Sequence, residues 1–257
     1  MTKTDEYYTP DSVYEVVLSW VKKTVPSVNH LEVCRPFYKG GDYLSEDYSK
    51  KVVIDNPPFS ILSDIRSFYL ENGIPYFLFA PHQQCFGQRL RRPITDTSII
   101  TESAILYEPN FRLTTSFVSN MFGDRAVLTA PDLSDALDEL RREELRRGGG
   151  GCLYKGVKTQ YNYPASVVTA SRLGKLAKIP FELRHTEVCF VHHLKQPRPG
   201  GTTENLKLFG GGFLISKKAQ GRLEKAFEDL KILRKERGEE VDILLSEREE
   251  HIISKLD

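Results

Sequence analysis

The run from Val52 to Ser60, which reads Val-Val-Ile-Asp-Asn-Pro-Pro-Phe-Ser, restricts the fold more than any other part of this chain. Its first three residues are β-branched and apolar, and such a short run predicts a buried strand. Two prolines end the strand, because each lacks an N–H group and has a fixed φ. The stiff turn places the Asn56 amide and the Phe59 ring at the carboxyl end of the strand, where open α/β sheets bind ligands. The sequence therefore predicts a site for a flat heterocycle at this turn.

The same turn resembles the catalytic motif of the amino-methyltransferases, which transfer a methyl group from S-adenosylmethionine to the exocyclic amine of adenine or cytosine in DNA. Their motif is Asn, Asp or Ser, then two prolines and an aromatic residue, and Asn56, Pro57, Pro58 and Phe59 match it in register. The resemblance is best from Glu6 to Asn120. It implies a compact, degenerate DNA adenine N6-methyltransferase of phage or mobile-element type, with S-adenosylmethionine as cofactor and DNA as partner.

The resemblance assigns catalytic roles to these four residues. The lone pair of the adenine N6 amine is delocalised into the ring, so the amine is a poor nucleophile. An acceptor on Asn56 and the backbone carbonyl of Pro57 would bind the two N6 hydrogens and localise the lone pair. Phe59 would stack on the base after its extrusion from the duplex. The alternative is a strand that ends in a proline turn without a catalytic role.

The resemblance also implies cofactor contacts in three places. Tyr8, Thr9 and Pro10 match an amino-terminal motif that touches the methionine part of the cofactor in many adenine methyltransferases. Gly40, Gly41 and Asp42 stand where the family has a glycine-rich turn after its first strand, and Asp55 ends the strand before the motif. These cofactor candidates are all read from the sequence alone. Two plainer interpretations stay open: Thr9 can cap a helix that has Pro10 in its first turn, and a glycine pair is often only a turn.

The chain departs from the family between Gly41 and Val52. About ten residues separate them, whereas a right-handed crossover between parallel strands needs a dozen or more. The helix and two strands that complete the cofactor half of a methyltransferase, including the acid that holds the ribose, therefore have no room. This shortening supports a second hypothesis, in which the protein binds a nucleic acid or nucleotide without transferring a methyl group. RNA or protein as the methyl acceptor is a third.

The pattern around the motif predicts a Rossmann-like α/β fold. A helix follows the motif and ends at Asn72-Gly73, and a strand runs from Pro75 to Pro81. From Ser98 onward, short β-type runs predict antiparallel strands that close a mostly parallel sheet with a shortened cofactor half. His82, which follows the second strand, and the basic residues Arg89, Arg91 and Arg92 are candidates for contacts to a base or to phosphates.

Four consecutive glycines, Gly148 to Gly151, mark the best candidate for a domain boundary. They divide a methyltransferase-like α/β domain, residues 1–147, from a carboxyl-terminal α+β region, residues 148–257; whether both pack as one unit is left open. The second region is predicted to contain a helix from Val167 to Ala177, strands near 187–191 and 206–209, and a charged helix from Ser216 to Arg237 followed by another from Ser246.

The composition of the chain bears on its surface charge and on where in the cell we expect the protein. The net charge is +1, which excludes a uniformly basic surface but not a local basic groove. Four cysteines in a chain of this length, without a signal peptide or a membrane-length apolar stretch, lead us to expect a cytoplasmic protein. His185, Cys189 and His193 share one face of a predicted strand, but their spacing fits no recognised zinc pattern, so no metal is expected.

Overall fold

The computed structural model describes residues 7–38, 41–86, 95–147, 165–191, 195–197, 205–207 and 212–236. Within these residues the fold is α/β, with one seven-stranded sheet, two smaller sheets and five α-helices. The helices are α1 (Asp11–Thr24), α2 (Leu62–Glu71), α3 (Pro131–Arg146), α4 (Ala170–Gly174) and α5 (Lys217–Glu236). The strands are β1 (Glu32–Cys34), β2 (Lys51–Asp55), β3 (Tyr76–Pro81), β4 (Thr97–Tyr107), β5 (Phe111–Ser119), β6 (Arg125–Thr129), β7 (Val167–Thr169), β8 (Glu182–Arg184), β9 (Val188–Val191), β10 (Lys195–Pro197), β11 (Asn205–Lys207) and β12 (Gly212–Ile215).

The large sheet has the strand order β1-β2-β3-β5-β4-β6-β8. β1, β2 and β3 are parallel neighbours, β5 is antiparallel to both β3 and β4, and β6 runs parallel to β4. β8 closes the sheet as an antiparallel edge strand. Five of the seven strands thus point the same way, which confirms the predicted mostly parallel sheet. The two strands that run the other way are β5, in the centre, and β8, at the edge, so they are not gathered at one end as predicted.

Alternate residues of the central strands supply two separate cores, as the period of a strand requires. Val52 and Ile54 of β2 face the layer formed by α1 and α3, whereas Val53 faces α2 on the other side of the sheet. All three side chains are completely buried, which explains why this strand reads as a continuous apolar run rather than an alternating one. β2 is therefore held on both faces, and its carboxyl end is a rigid place for a site.

Residues from 165 onward share the large sheet and its core with the amino-terminal part. β8 pairs with β6, and a single cluster of buried side chains joins Ile100 and Val127 of the large sheet to Leu223 of α5. β12 pairs with β7 and β9 in a small sheet within this layer. The predicted helix from Val167 is wrong at its start, because Val167–Thr169 is the strand β7 and the helix is only the short α4. β-branched residues such as Val167 and Val168 favour the strand.

Helix α2 follows the proline turn and ends where the sequence indicates. Asn72 is the C-cap residue of the helix. Gly73 follows with a φ of +63°, a left-handed conformation that glycine adopts without strain. Near the middle of the helix, Arg66 forms a bidentate ion pair with Asp96, with N···O distances of 2.8 and 2.7 Å. Tyr76, at the start of β3, donates to the same carboxylate. This fully buried cluster fixes α2, and with it the end of the proline turn, against the sheet.

Candidate functional site

Asn56 lies at the carboxyl end of β2, beneath the amino-terminal segment. Its Nδ2 donates to the backbone carbonyl of Tyr7 at 3.1 Å. A carbonyl cannot donate, so the nitrogen of the amide must face Tyr7 and the oxygen must face the other way. The Asn56 Oδ1 atom is buried and has no hydrogen-bond partner among the described residues. A buried acceptor without a donor costs free energy, and a donor group that reached this atom would offset that cost.

Phe59 sits at the far end of the turn, half-buried against the core on the α1 side. Its ring meets the ring of Tyr107 edge-on, with centroids 6.3 Å apart. Tyr107 is fully buried and its hydroxyl is 2.9 Å from Thr115 Oγ1, so it cannot easily move. Pro57 is buried and Pro58 is partly exposed. The turn thus holds a partly exposed aromatic ring in a defined orientation close to the Asn56 amide.

Thr9 differs from the helix cap that its sequence position suggests. Helix α1 begins at Asp11 with Pro10 as the capping residue, and no side chain caps it. The Tyr8 backbone is fixed instead by two hydrogen bonds to Glu108, of 3.0 and 2.9 Å. Thr9 is 4% exposed, and its Oγ1 has no partner among the described residues. The Tyr8–Pro10 segment, which follows the Tyr7 carbonyl bound by Asn56, therefore contributes a second buried oxygen without a partner among the described residues.

Replacing Thr9 by valine tests whether its hydroxyl is kept for a ligand. Because the hydroxyl is buried without a partner, Thr9→Val is expected to raise the free energy of unfolding by about 1 kcal/mol. The same change is expected to weaken the binding of S-adenosylhomocysteine severalfold. Urea unfolding and calorimetric titration measure the two effects.

Thr129→Val is the matched control, because Thr129 Oγ1 donates to the carbonyl of Ile179 at 2.6 Å and accepts from the N–H of Phe181 at 2.7 Å. This control variant is expected to lose about 1–3 kcal/mol of stability. An equal loss in Thr9→Val would show that its hydroxyl has a structural role.

Asp55 faces the protein rather than a ligand. It is 1% exposed, and its two carboxylate oxygens accept hydrogen bonds from the backbone N–H groups of Phe37, at 2.8 Å, and Asn56, at 2.9 Å. Arg35 Nε approaches the same carboxylate at 3.5 Å. The predicted cofactor contact of Asp55 is therefore not supported, since its acceptors are used to join the turn after β1 to the turn after β2.

Asp55 also makes stability depend on pH. Burial raises the pKa of its carboxyl from 3.8 to about 6, although the Phe37 and Asn56 N–H groups and Arg35 act in the opposite direction. The folded protein thus binds this proton more tightly than the unfolded chain does. The contribution of Asp55 to stability is full below pH 3.8 and is lost as the pH rises through 6.

We expect the stability difference between the wild-type protein and the Asp55→Asn variant to shrink by at most about 3 kcal/mol between pH 4 and pH 7. The asparagine does not titrate, so this comparison isolates the carboxyl group. Urea unfolding at several pH values measures the difference, and carboxyl carbon NMR measures the pKa. A difference that stays constant over this range would contradict the raised pKa.

Gly41 and Asp42 have structural roles in the turn after β1. A Cβ atom at Gly41 would collide with the carbonyl oxygen of Pro36, so the chain needs glycine there to pack against itself. Asp42 is exposed, and its Oδ1 accepts a hydrogen bond from the Leu44 N–H at 3.0 Å. Neither observation indicates a cofactor contact. Gly40 lies outside the described residues.

The cofactor half is as short as the sequence predicts. Residues 42–50 form turns without a helix or a strand, and β1 pairs directly with β2 as the edge strand of the sheet. Residues 42–50, all of which the structure describes, contain no additional strand whose end could place an acid against a ribose. The unpaired acceptors Thr9 Oγ1 and Asn56 Oδ1 fit the ammonium of a methionine moiety and the amine of a base, respectively. The site thus fits the reacting end of S-adenosylmethionine better than its nucleoside end.

Of the four residues predicted to contact nucleic acid, only His82 lies within the described residues. His82 is buried, with Nδ1 at 2.9 Å from Ser116 Oγ and Nε2 at 2.8 Å from the carbonyl of Ala170, and burial lowers its pKa. Both ring nitrogens are used inside the protein, which argues against a contact between His82 and a base. The three arginines Arg89, Arg91 and Arg92 lie outside the described residues.

Sequence reasoning missed the aromatic and basic group next to the motif. Arg35 lies between the rings of Tyr14 and Tyr38, and its guanidinium carbon is 3.7 and 4.4 Å from their centroids. Tyr14 also donates from its hydroxyl to the carbonyl of Ile54 at 3.0 Å, which ties α1 to β2. The available signal was the position of Arg35 directly after the short strand Glu32–Cys34, between two tyrosines in the sequence.

No protein-family model, curated protein or solved structure matches this chain. None of the helices that the structure describes has both the length and the apolar character that a membrane span requires. Within the same residues, no three or more His, Cys, Asp or Glu side chains come together as a group that could hold a metal ion. His193, one of the three residues considered for zinc, lies outside them.

Proposed function

We propose that this protein is an S-adenosylmethionine-dependent methyltransferase that acts on the N6 amine of adenine in DNA. The observation that carries the proposal is the Asn56 amide, whose nitrogen is fixed by Tyr7 and whose buried oxygen has no partner among the described residues. An acceptor held in this way at the carboxyl end of a parallel strand, followed by Pro57, Pro58 and Phe59, matches what the chemistry of amine methylation needs.

Asn56 would act by changing the electronic structure of the amine. The N6 lone pair is conjugated with the purine ring and is therefore weakly nucleophilic. Hydrogen bonds from the two N6 hydrogens to Asn56 Oδ1 and to the Pro57 carbonyl draw the nitrogen toward tetrahedral geometry. The lone pair then points away from both acceptors and can attack in line. Because the amide orientation is set before the base arrives, little reorganisation is needed during the reaction.

Phe59 would hold the base. Adenine in a duplex cannot bring N6 to this turn, so the nucleotide must leave the stack and bind against an aromatic face. The Phe59 ring is held edge-on by Tyr107 and stays partly exposed, which leaves part of it available to a base. Stacking of this kind is worth about 1–3 kcal/mol per base.

The amino-terminal segment and the turn after β1 would hold the methyl donor. When bound, S-adenosylmethionine supplies an electrophilic methyl group on a positively charged sulfur. Thr9, with its unpaired hydroxyl, and Pro10 follow Tyr7, whose carbonyl accepts from Asn56 at the end of β2. The bond from N6 to the methyl carbon would form as the carbon–sulfur bond breaks, and S-adenosylhomocysteine would leave as a neutral thioether. The methylated nitrogen would then lose a proton to water, because an amide such as Asn56 cannot act as a base.

A protein that binds nucleic acid or a nucleotide without methyl transfer is the second candidate. The observation that favours it is the direct pairing of β1 with β2, which leaves residues 42–50 as turns where a ribose-binding acid is expected. In such a protein, Phe59 and Asn56 would recognise a base, and no donor would bind beside them.

Calorimetric titration with S-adenosylmethionine and S-adenosylhomocysteine distinguishes these two candidates. The methyltransferase requires binding with a dissociation constant in the micromolar range, about −8 kcal/mol. Absence of binding up to millimolar concentration, together with binding of an adenine-containing oligonucleotide, would contradict the methyltransferase and support the second candidate. Asn29→Ala, which alters an exposed amide in a different region, serves as the control for protein quality.

A further inference from the structure

Arg35 is held in an unusual position at the carboxyl edge of the sheet. Its guanidinium carbon lies over the rings of both Tyr14 and Tyr38, at 3.7 and 4.4 Å from their centroids. Within the described residues the only hydrogen bond of its side chain runs from Nε to Asp55 Oδ1, at 3.5 Å. The two terminal nitrogens therefore keep their N–H groups for another partner, in the plane of the guanidinium. The side chain is 22% exposed, so this edge is recessed but accessible.

The surroundings of Arg35 suit the amino-acid end of a ligand. Tyr14 N–H bonds the Pro10 carbonyl at 3.0 Å, and Tyr8 meets the ring of Tyr38 edge-on at 6.2 Å. The Tyr8–Pro10 segment is thus next to the arginine. The unpaired hydroxyl of Thr9 in that segment is an acceptor for an ammonium group. A guanidinium edge, with a hydroxyl acceptor on the neighbouring segment, suits a group that carries a carboxylate and an ammonium on one carbon.

We propose that Arg35 binds the α-carboxylate of S-adenosylmethionine through its two terminal nitrogens. This inference rests on the proposed function. An arginine edge matches a carboxylate through two parallel hydrogen bonds. The two tyrosine rings pack against the guanidinium and leave less room around it, which favours a flat carboxylate over a bulkier tetrahedral phosphate. The recessed position is also unfavourable for a phosphate of the DNA backbone, which stays at the surface.

Binding at this point would help to replace what the short cofactor half lacks. With no acid placed to hold the ribose, the methionine moiety has to supply a larger share of the binding free energy. The pairing of Arg35 with Asp55 does not remove the charge, because Asp55 also accepts two backbone hydrogen bonds and lies 3.5 Å from Nε. The contact instead engages Nε and leaves the two terminal nitrogens without a hydrogen-bond partner among the described residues.

The first test compares two ligands on the wild-type protein by calorimetry. The ligands are S-adenosylhomocysteine and its decarboxylated form, in which a hydrogen replaces the α-carboxylate. Loss of a charge-assisted pair of hydrogen bonds is expected to weaken binding roughly ten- to hundredfold. Equal affinities for the two ligands would overturn the role of Arg35 while leaving the proposed function intact. Failure of both ligands to bind would overturn the proposed function as well.

The second test repeats the comparison with Arg35→Gln and Arg35→Lys. If Arg35 holds the carboxylate, Arg35→Gln loses the preference for S-adenosylhomocysteine and binds the decarboxylated ligand as the wild type does. Arg35→Lys keeps the positive charge but lacks the paired N–H groups of the guanidinium, so its preference for S-adenosylhomocysteine should be intermediate. The ratio of the dissociation constants for the two ligands does not change when a variant is merely less stable. Thermal unfolding confirms that each variant is folded.

Arg125→Gln is the control, because Arg125 also pairs through Nε with a carboxylate, Glu182, at a distant strand. It should keep the wild-type ligand ratio. DNA binding is measured in parallel as a function of salt. The proposal is wrong if Arg35→Gln keeps the preference for the carboxylate but releases about one fewer counterion on DNA binding, as judged from the slope of log K against log salt concentration. Arg35 would then bind a phosphate.

Discussion

Replacing Asn56 by alanine is expected to lower the rate of methyl transfer to DNA by roughly a hundred- to a thousandfold, the usual cost of removing one preorganised group that stabilises a transition state. The substitution removes the acceptor for the amine, whereas the fold loses only the hydrogen bond from Nδ2 to Tyr7. That bond contributes about 1 kcal/mol to stability. Transfer of a labelled methyl group under single-turnover conditions measures the rate.

Asn120→Ala provides the matched control, because Asn120 also lies at a strand end but uses both ends of its amide within the fold. Its Oδ1 accepts from the Tyr76 N–H and its Nδ2 donates to the Ile74 carbonyl, both at 2.9 Å. This variant should lose stability and keep its activity per folded molecule. Asn56→Asp should retain part of the activity, since the family motif also accepts aspartate. Full activity in Asn56→Ala would end the catalytic assignment.

Replacing Asp96 by alanine is expected to cost about 3–5 kcal/mol of folding free energy, the largest effect on stability that we predict. The change leaves Arg66 charged and fully buried, without the carboxylate that accepts from its Nε and Nη2. It also removes the acceptor of the Tyr76 hydroxyl. Urea unfolding followed by circular dichroism measures the loss.

Two comparisons show whether the loss arises from an unpaired buried charge. Glu139→Ala breaks an exposed ion pair with Arg142 and should cost no more than about 0.5 kcal/mol. The double variant Arg66→Met with Asp96→Leu removes both charges and should recover much of the stability. If Asp96→Ala were as mild as Glu139→Ala, the buried pair would not be what fixes helix α2 behind the proline turn.

Much of the fold follows from local patterns in the sequence. The apolar run before Asn56 is β2, the helix after it ends at Asn72-Gly73, and the next apolar run is β3. These elements could be predicted because each is bounded by prolines, glycine or asparagine, whose backbone preferences act over a few residues. The short connection after Gly41 could also be read from its length alone.

The rest depends on contacts between distant parts of the chain. His82 is buried because Ala170, far along the sequence, covers it, and Arg66 is buried because Asp96 pairs with it. Nothing near His82 or Arg66 in the sequence signals those partners. Thr9 looked like a helix cap because its residue type and position suited one, yet its hydroxyl bonds nothing within the described residues. That the Thr9 Oγ1 and Asn56 Oδ1 atoms lack hydrogen-bond partners among the described residues is visible only when their neighbours in space are known.

Incubation of the wild-type protein with adenine-containing DNA and methyl-labelled S-adenosylmethionine, followed by mass spectrometry of the digested nucleosides, tests the central claim most directly. We predict N6-methyladenine in the DNA, formed by the wild-type protein and by Asn120→Ala but not by Asn56→Ala. DNA that gains no methyl group, when the same protein preparation binds the oligonucleotide, would contradict the claim and leave Asn56 and Phe59 as parts of a binding site only.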